Sequence, residues 1–256
     1  MEWLYVLMPI AGVQIFWPGL IILGVGVGII GGFFGMGGAW MVTPGLNILG
    51  FPMAFAIGTE TACFNMMIYM AGWLGSTELA TMYATINFTS FVYMLTLGLS
   101  TAASVRVGNA IGRGNAGDLQ RAGWTAVGLE LAVMAIVASI TALLAPKIAG
   151  AYSQDPLVLP LLTSALTLTT LLFIVDGLQG VLMGALRGAA DTLIPTIVYI
   201  VSFVVVGLPM GYVIGFEQRA GVPALIWSLI SALVVAATGL GWRFHRLSSR
   251  PEGLWR

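Results

Sequence analysis

Residues 157–185 read LVLPLLTSALTLTTLLFIVDGLQGVLMGA, an apolar run in which Asp176 is the single charged residue. This run is longer than the roughly 20 residues that a helix needs to cross the hydrocarbon core of a bilayer. A carboxylate at that depth is costly, and it is typically kept for proton or cation coupling, for a polar cavity, or for a buried pair with another helix. The run therefore predicts a membrane-spanning helix with a functional acid, as is typical of a transporter.

The composition of the whole chain supports a membrane protein. Of its 256 residues, 59% are hydrophobic and 8% are charged, whereas a soluble domain carries about 25% charged residues. The chain has no room for a sizeable soluble domain, and its net charge of zero gives no indication of a nucleic-acid partner. Cys63 and His245 are the only residues of their types. We therefore predict no intrachain disulfide and no Cys/His metal cluster, and the first residues predict no cleavable signal peptide.

Six segments after residue 50 are long and apolar enough to span a membrane. They lie at about 52–75, 83–103, 122–145, 157–184, 194–215 and 222–242. A seventh candidate, 17–36, precedes them. Residues 3–16 are short and contain Pro9, so they could lie in the interface, and residues 39–50 contain Pro44 and could be re-entrant.

The positive charges predict how these segments are oriented. If the six helices alternate, eight arginines fall on one side of the membrane and only Lys147 and Arg219 on the other. The eight are Arg106, Arg113, Arg121, Arg187, Arg243, Arg246, Arg250 and Arg256. By the positive-inside rule, the 104–121 loop and the C-terminus are cytoplasmic. The arginines from Arg106 to Arg121 are interpreted first as topology determinants, and contact with anionic lipid is a second use.

Three acidic residues lie inside the predicted helices: Glu60, Glu130 and Asp176. Each is about 12–14 Å from the cytoplasmic side at the rise of an α-helix. Carboxylates at similar depth on different helices can share a cavity and bind a proton or Na⁺ there. Asn87 could supply a neutral ligand. Gln179, one turn from Asp176, could instead satisfy it in an ordinary helix–helix hydrogen bond.

Several motifs between residues 51 and 242 resemble one transporter family. They are AGWLG at 71–75, LGLSTAASVRVGNAIG at 97–112, DGLQ at 176–179, GALRG at 184–188 and GLPMGY at 207–212. Their order and spacing resemble the C-terminal half of the multidrug and toxic compound extrusion (MATE) family. That family has two six-helix halves around a central cavity, and this sequence resembles the second half only.

The first part of the chain resembles a different family. GGFFGMGG at 31–38, followed by Thr43 and Pro44, resembles the opening of the TauE/SafE group of anion exporters. Together the two resemblances imply an all-α, polytopic integral membrane protein of about seven to eight transmembrane helices, six of which form one MATE-type half bundle. The expected organisation is a TauE/SafE-like membrane segment at 1–50, the MATE-like half at 51–245 and a cytoplasmic tail at 246–256.

The MATE resemblance implies secondary active efflux, in which drugs or other organic cations are exchanged for H⁺ or Na⁺ across the plasma (inner) membrane. Asp176 and Glu60 match acids of the family and are the expected ion-binding residues, with Na⁺ as a candidate metal ion at this pair. Glu130 matches no family acid, and it is expected first to act in a cavity or an interface, with ion coupling as the alternative. Together with Asn87 and Gln179, it completes the set of candidate ion-coupling or substrate residues. We expect neither an enzyme nor a cofactor, because the sequence has no Walker loop and no nucleophile–base pair.

Three interpretations of the chain stay open from the sequence. A half-transporter would need a second half, supplied by a homodimer or by a separate N-terminal half. The chain could instead be an inactive truncated or fused membrane fragment, or a subunit. If the function instead follows the N-terminal resemblance, the chain is a TauE/SafE-like anion exporter.

Overall fold

The computed structural model describes residues 5–8, 13–16, 50–217 and 220–249. Two short strands, β1 (Tyr5–Met8) and β2 (Val13–Phe16), pair antiparallel, with Tyr5 opposite Phe16 and Met8 opposite Val13. These strands fall in the 3–16 segment, which the sequence suggested for the interface. The seventh candidate span at 17–36 and the re-entrant candidate at 39–50 lie outside the described residues, except for Gly50. So does the glycine-rich motif of the TauE/SafE resemblance.

Six helical elements make up the remainder of the described chain, in the order that the sequence predicted. They are α1 (Gly50–Leu74), α2 (Ser76–Gly112), α3 (Ala116–Tyr152), α4 (Val158–Gly188), α5 (193–217) and α6 (Gly221–Ser248). All but α1 contain a window that is long and apolar enough to cross a membrane. The 25 residues of α1 reach about 37 Å at the rise of an α-helix, but Glu60 and its threonine neighbours make its middle more polar. Apart from the short pair β1–β2, all elements of the described chain are helical, and the prediction of an all-α polytopic membrane protein is confirmed.

The helices α2 and α3 are longer than their apolar segments predicted. Each has 37 residues, against the expected spans of 83–103 and 122–145. The ends that meet at the α2–α3 turn remain helical because this turn satisfies their free backbone groups. Gly114 takes a left-handed φ of 69°, and the Asn115 side chain accepts a hydrogen bond from the Asp118 amide at 2.9 Å. A left-handed glycine after one helix and an asparagine cap before the next are favoured solutions.

The helix α4 packs against α2, α3 and α6 and is the centre of the bundle. Its close approach to α2 depends on Gly180, Gly184 and Gly188, which recur every four residues and so lie on one face. A Cβ atom at Gly184 would overlap the backbone of Ser100, and one at Gly188 would overlap that of Ser104. The Ser100 hydroxyl also donates to the Gly180 carbonyl at 2.8 Å. Substitution of these glycines would therefore separate the two helices.

The helix α5 departs from regular α-helical geometry. Its first turns are α-helical (Leu193–Tyr199), and they are followed by a π-helical segment (Ile200–Gly207), a short α-helical piece (Leu208–Met210) and a second π-helical segment (Gly211–Glu217). Pro209 lies between the two wide segments, where its ring removes a backbone donor from the helical ladder. A proline inside a helix is a common cause of a bend, and the structure shows a wider winding on both sides of Pro209.

One end of the bundle is held by an ion pair. The Arg243 guanidinium of α6 binds the Asp191 carboxylate, which lies between α4 and α5, at 2.5 Å. Phe244 of α6 packs over Gly123 of α3 and edge-on against Trp124, with ring centroids 5.8 Å apart. These contacts bring the α2–α3 turn, the α4–α5 turn and the end of α6 to one side, as alternating helices require.

Candidate functional site

Two of the predicted acids meet at one glutamine inside the bundle. The Gln179 amide nitrogen donates to the Glu60 carboxylate at 2.5 Å and to the Asp176 carboxylate at 3.1 Å. Glu60 comes from α1, whereas Asp176 and Gln179 are three residues apart on α4 and therefore lie on one face of that helix. All three side chains are buried, with exposed fractions of 8%, 5% and 0% for Glu60, Asp176 and Gln179. These three residues are called the carboxyl cluster below.

The carboxyl cluster has more hydrogen-bond acceptors than donors. A single amide nitrogen serves both carboxyl groups, and the amide oxygen of Gln179 has no hydrogen-bond partner among the described residues. Buried polar atoms in folded proteins are nearly always satisfied, so an orphaned acceptor calls for a physical explanation. Carboxylate and amide oxygens are the groups that a proton or a hard cation binds. The arrangement can therefore accept one small positive charge.

Glu130 of α3 occupies a second buried position, against the neighbouring face of α4. Its Oε1 accepts a hydrogen bond from the Thr96 hydroxyl at 2.6 Å, while its Oε2 has no hydrogen-bond partner among the described residues. A Cβ atom at Gly177 would collide with Oε1, so the carboxyl group lies directly against the backbone beside Asp176. Glu130 is within electrostatic reach of Asp176. The three acids therefore lie at similar depth, but only two of them share a hydrogen-bond partner.

Asn87 is not brought to the carboxyl cluster. Its side chain is exposed and accepts a hydrogen bond from the Tyr152 hydroxyl, at the last residue of α3, at 2.9 Å. Thr96, which does reach an acid, lies nine residues further along α2, a rise of about 13 Å. In this structure Asn87 thus links an interior turn of α2 to the last residue of α3 at the bundle surface.

Sequence reasoning missed two features that shape the site. Thr96 is one of many threonines in α2, and its spacing gave no sign that it would contact Glu130. The glycines of α4 did carry a signal, because Gly180, Gly184 and Gly188 recur at the four-residue spacing of closely packed membrane helices. These glycines set the distance between α2 and α4, and so they fix where Thr96 lies relative to Glu130.

The described residues contain no group of three or more His, Cys, Asp or Glu side chains that could hold a metal ion. The carboxyl cluster offers two carboxyl groups and one amide oxygen, a donor set suited to a proton or a monovalent cation. Cys63 is buried in α1 as a free thiol, and it packs against the backbone of α5 through a contact with the Phe203 carbonyl at 3.7 Å.

Sequence comparison finds the MatE family model over residues 52–213. The multidrug resistance protein NorM of Burkholderia vietnamiensis is 35% identical over 206 residues, which cover 78% of this chain and 45% of that protein. A probable multidrug resistance protein NorM of Rhodopseudomonas palustris is 38% identical over 205 residues, with 78% of this chain and 43% of the relative covered. The chain thus spans about half the length of the curated relatives it matches.

Solved structures share the fold of the helical part. The crystal structure of the eukaryotic MATE transporter AtDTX14 superposes with a TM-score of 0.73 at 23% identity and covers 78% of this chain and 47% of that one. An outward-facing multidrug resistance MATE family transporter superposes with a TM-score of 0.68 at 17% identity, over 78% of this chain and 47% of that one. The family model covers more than half of the sequence, and these structures match its six-helix bundle. The chain therefore belongs to the MatE family.

Proposed function

We propose that this chain is one half of a secondary antiporter that exports small organic cations in exchange for H⁺ or Na⁺. Members of the MatE family are transporters, and the relatives at 35–38% identity carry the name multidrug resistance protein. The single observation that carries the proposal is the carboxyl cluster, which joins α1 to α4 inside the bundle. It gives the chain a place for the coupling ion.

The chemistry of the cluster favours one bound positive charge. Two ionised carboxylates, buried together with only a neutral amide between them, would pay a large desolvation and repulsion cost. A proton on one of them, or a Na⁺ ion among their oxygens, removes most of that cost. The orphaned oxygen of Gln179 then gains a donor from a protonated carboxyl group, or a place in the coordination of the cation.

The position of the cluster offers a route from ion binding to a change of shape. The helix α1 packs chiefly against α2 and α5, and it makes few close backbone approaches to α4. The bridge through Glu60 and Gln179 is therefore a polar link across a loosely packed pair of helices. An ion that binds one arrangement of this link better than another shifts the balance between the two arrangements. Antiport needs such a differential affinity.

The complete transporter combines this six-helix half with a second half, either another copy of the chain or a separate polypeptide. The relatives and the solved structures are about twice as long as the matched region. Large apolar side chains on α1 and α2 are exposed, among them Tyr69, Tyr83 and Phe91. Such a surface can face a second half as well as lipid. We place the assembly in the plasma membrane with the arginine-rich side in the cytoplasm.

Dye efflux and ion-dependent stability together test this proposal. Cells that express the full chain are loaded with a fluorescent cationic dye, and efflux is compared between wild type and Asp176→Asn. The melting temperature of the purified chain is followed against pH and against NaCl concentration, since a bound ligand stabilises the folded state. The matched control is Asp155→Asn, which makes the same change at an exposed turn before α4.

The expected result is an ion-dependent melting temperature in wild type and in Asp155→Asn that is lost in Asp176→Asn. Dependence on pH alone identifies H⁺, and dependence on NaCl at constant ionic strength identifies Na⁺. If wild type and Asp176→Asn respond identically to both ions, the cluster is not the ion site. Absence of efflux from a well-inserted wild type that still shows the ion response would mean that a separate second half is needed.

The two rival interpretations make different predictions. An inactive fragment or a non-transporting subunit would show neither efflux nor an ion response at the cluster. An anion exporter would move anions and ignore cationic dyes. That interpretation depends on residues 31–44, which lie outside the described residues, and it stays a prediction.

A further inference from the structure

A groove lies between α2 and α3 near the turn that connects them. Its volume is about 700 Å³, within the range of about 300–1,000 Å³ that is usual for small-molecule sites. One wall is formed by α2 from Leu99 to Arg113 and the other by α3 from Asp118 to Leu129. The carboxyl cluster does not line this groove, so it is a separate feature of the molecule.

The end of the groove near the turn carries a positive charge. Arg106, Arg113 and Arg121 line it, together with Asn109 and one acid, Asp118. Asp118 pairs with Arg113 at 3.6 Å. Within the part of the chain that the structure describes, Arg106 and Arg121 form no ion pair. Two guanidinium groups from different helices therefore border one groove without an acidic partner.

The other end of the groove is apolar. Leu99 and Ala102 line it from α2, and Ala126 and Leu129 line it from α3. Leu99 lies seven residues before Arg106, which is about 10 Å along the helix axis. The interfacial region of a bilayer is about 5–8 Å thick on each side, so an arginine among the headgroups would place Leu99 in the hydrocarbon.

We propose that this groove binds an anionic phospholipid. Arg106 and Arg121 would hold the headgroup phosphate, while the start of an acyl chain would lie along Leu99 and Leu129. Guanidinium groups match phosphate geometry with paired donors, and the excess positive charge complements an anionic headgroup. A free phosphate ion would use only the charged end of the groove, whereas a phospholipid fills both ends. Juxtamembrane arginines on the cytoplasmic side meet the leaflet in which anionic lipids attract basic side chains.

The test measures lipid binding by the purified full chain. The delipidated protein in detergent is titrated with phosphatidylglycerol or with phosphatidylcholine, and bound lipid is counted by native mass spectrometry. The groove variant is Arg106→Gln/Arg121→Gln. Its matched control is Arg187→Gln/Arg246→Gln, which removes the same charge from the same side of the bundle but outside the groove. A third variant, Ala102→Phe, fills the apolar end and leaves both groove arginines in place. Inorganic phosphate is added as a competitor.

We expect phosphatidylglycerol to bind more tightly than phosphatidylcholine, and the groove variant to weaken its binding by about fivefold for each arginine removed. The control variant should bind as wild type does, and Ala102→Phe should bind more weakly although its charge is unchanged. Equal weakening in the groove variant and the control would overturn the proposal, because the attraction would then belong to the whole surface. Complete displacement by inorganic phosphate, with wild-type binding in Ala102→Phe, would also overturn it and would indicate a phosphate ion alone.

Discussion

Buried acids lie at two neighbouring faces of α4 in contrasting surroundings. On one face, Asp176 and Glu60 share the amide of Gln179, and an amide oxygen beside them has no hydrogen-bond partner among the described residues. On the other face, Glu130 is held by the Thr96 hydroxyl and pressed against the backbone at Gly177. The first site links helices that pack loosely, and the second lies among helices that pack closely.

This contrast indicates that burial alone does not define a coupling site. Each site has one buried oxygen without a hydrogen-bond partner among the described residues, Oε1 of Gln179 and Oε2 of Glu130. The carboxyl cluster differs because two carboxyl groups can share one small cation there and because its bridge to α1 is made by side chains. Glu130 lies where any displacement would disturb the contact of α4 with α2 and α3. We therefore expect the carboxyl cluster to exchange an ion, and Glu130 to position α4.

The largest expected difference is in ion-dependent stability, between the variants Glu60→Gln and Glu130→Gln. In wild type, an ion at 100 times its dissociation constant should stabilise the folded chain by about 2.7 kcal/mol. Glu60→Gln should abolish this stabilisation, because it removes one of the two carboxyl groups. Glu130→Gln should keep it. Thermal unfolding across pH and NaCl series measures the ion-dependent stabilisation of both variants. If both variants lose it equally, the two sites do not differ in ion binding.

The next largest effect, on the free energy of unfolding, is expected from a change in packing at Gly177. In Gly177→Ala the new methyl group would meet Oε1 of Glu130 and, at 2.9 Å, the Cγ atom of Met134. Overpacking of this kind costs about 2 kcal/mol, whereas the gain in helix propensity is about 1 kcal/mol. Gly177→Ala should therefore be about 2 kcal/mol less stable than a control variant that gains the helix propensity without the overpacking. Chemical unfolding in detergent measures the change. The matched control is Gly128→Ala on α3, where the added methyl group meets nothing within 4 Å, and this variant should be neutral or more stable. Equal stability of the two variants would contradict the close packing at Gly177.

Loss of the Thr96 hydroxyl should have a smaller effect and should spare the ion response. Thr96→Val keeps the shape of the side chain but leaves Oε1 of Glu130 without its donor. An orphaned buried acceptor costs about 1 kcal/mol or somewhat more, measurable as a lower free energy of unfolding. If Thr96→Val also removed the ion-dependent melting temperature, Glu130 would belong to the ion site after all.

The smallest effect is expected for Ser100→Ala. The Ser100 hydroxyl donates to the Gly180 carbonyl between α2 and α4, and hydrogen bonds between membrane helices contribute about 0.6 kcal/mol on average. The glycine contacts that remain should keep the helices together. A loss several times larger would show that the hydrogen bond, and not the glycine packing, holds α4 against α2.

Much of the fold was predictable from local patterns. Apolar length placed all six helices in their observed order, and the arginines indicated which turns share one side of the bundle. The ends of the helices were less predictable, because the polar ends of α2 and α3 continue as helix up to a well-capped turn at Gly114 and Asn115. The wide winding of α5 on both sides of Pro209 was not predicted from the sequence.

The candidate site was predictable in part. The depth of Glu60 and Asp176 followed from their positions in the apolar runs, and Gln179 was expected one turn from Asp176. The double donation of Gln179 to both acids was not expected, because it depends on how α1 is rotated against α4. Asn87 was expected near the acids, but it lies at the surface beside Tyr152.

The sequence by itself determined that this is a membrane protein. It also determined the order of the helices and the depth of the acids, because hydropathy and helix rise are local properties. Only the tertiary structure decided which acids meet. The rotation and spacing of the helices come from contacts between distant residues, above all the glycines of α4 against the backbone of α2. The four-residue spacing of the glycines indicates that α4 can pack closely, but it does not indicate which helix α4 meets or at what rotation. Those two features separate the pair at Gln179 from the lone acid at Thr96.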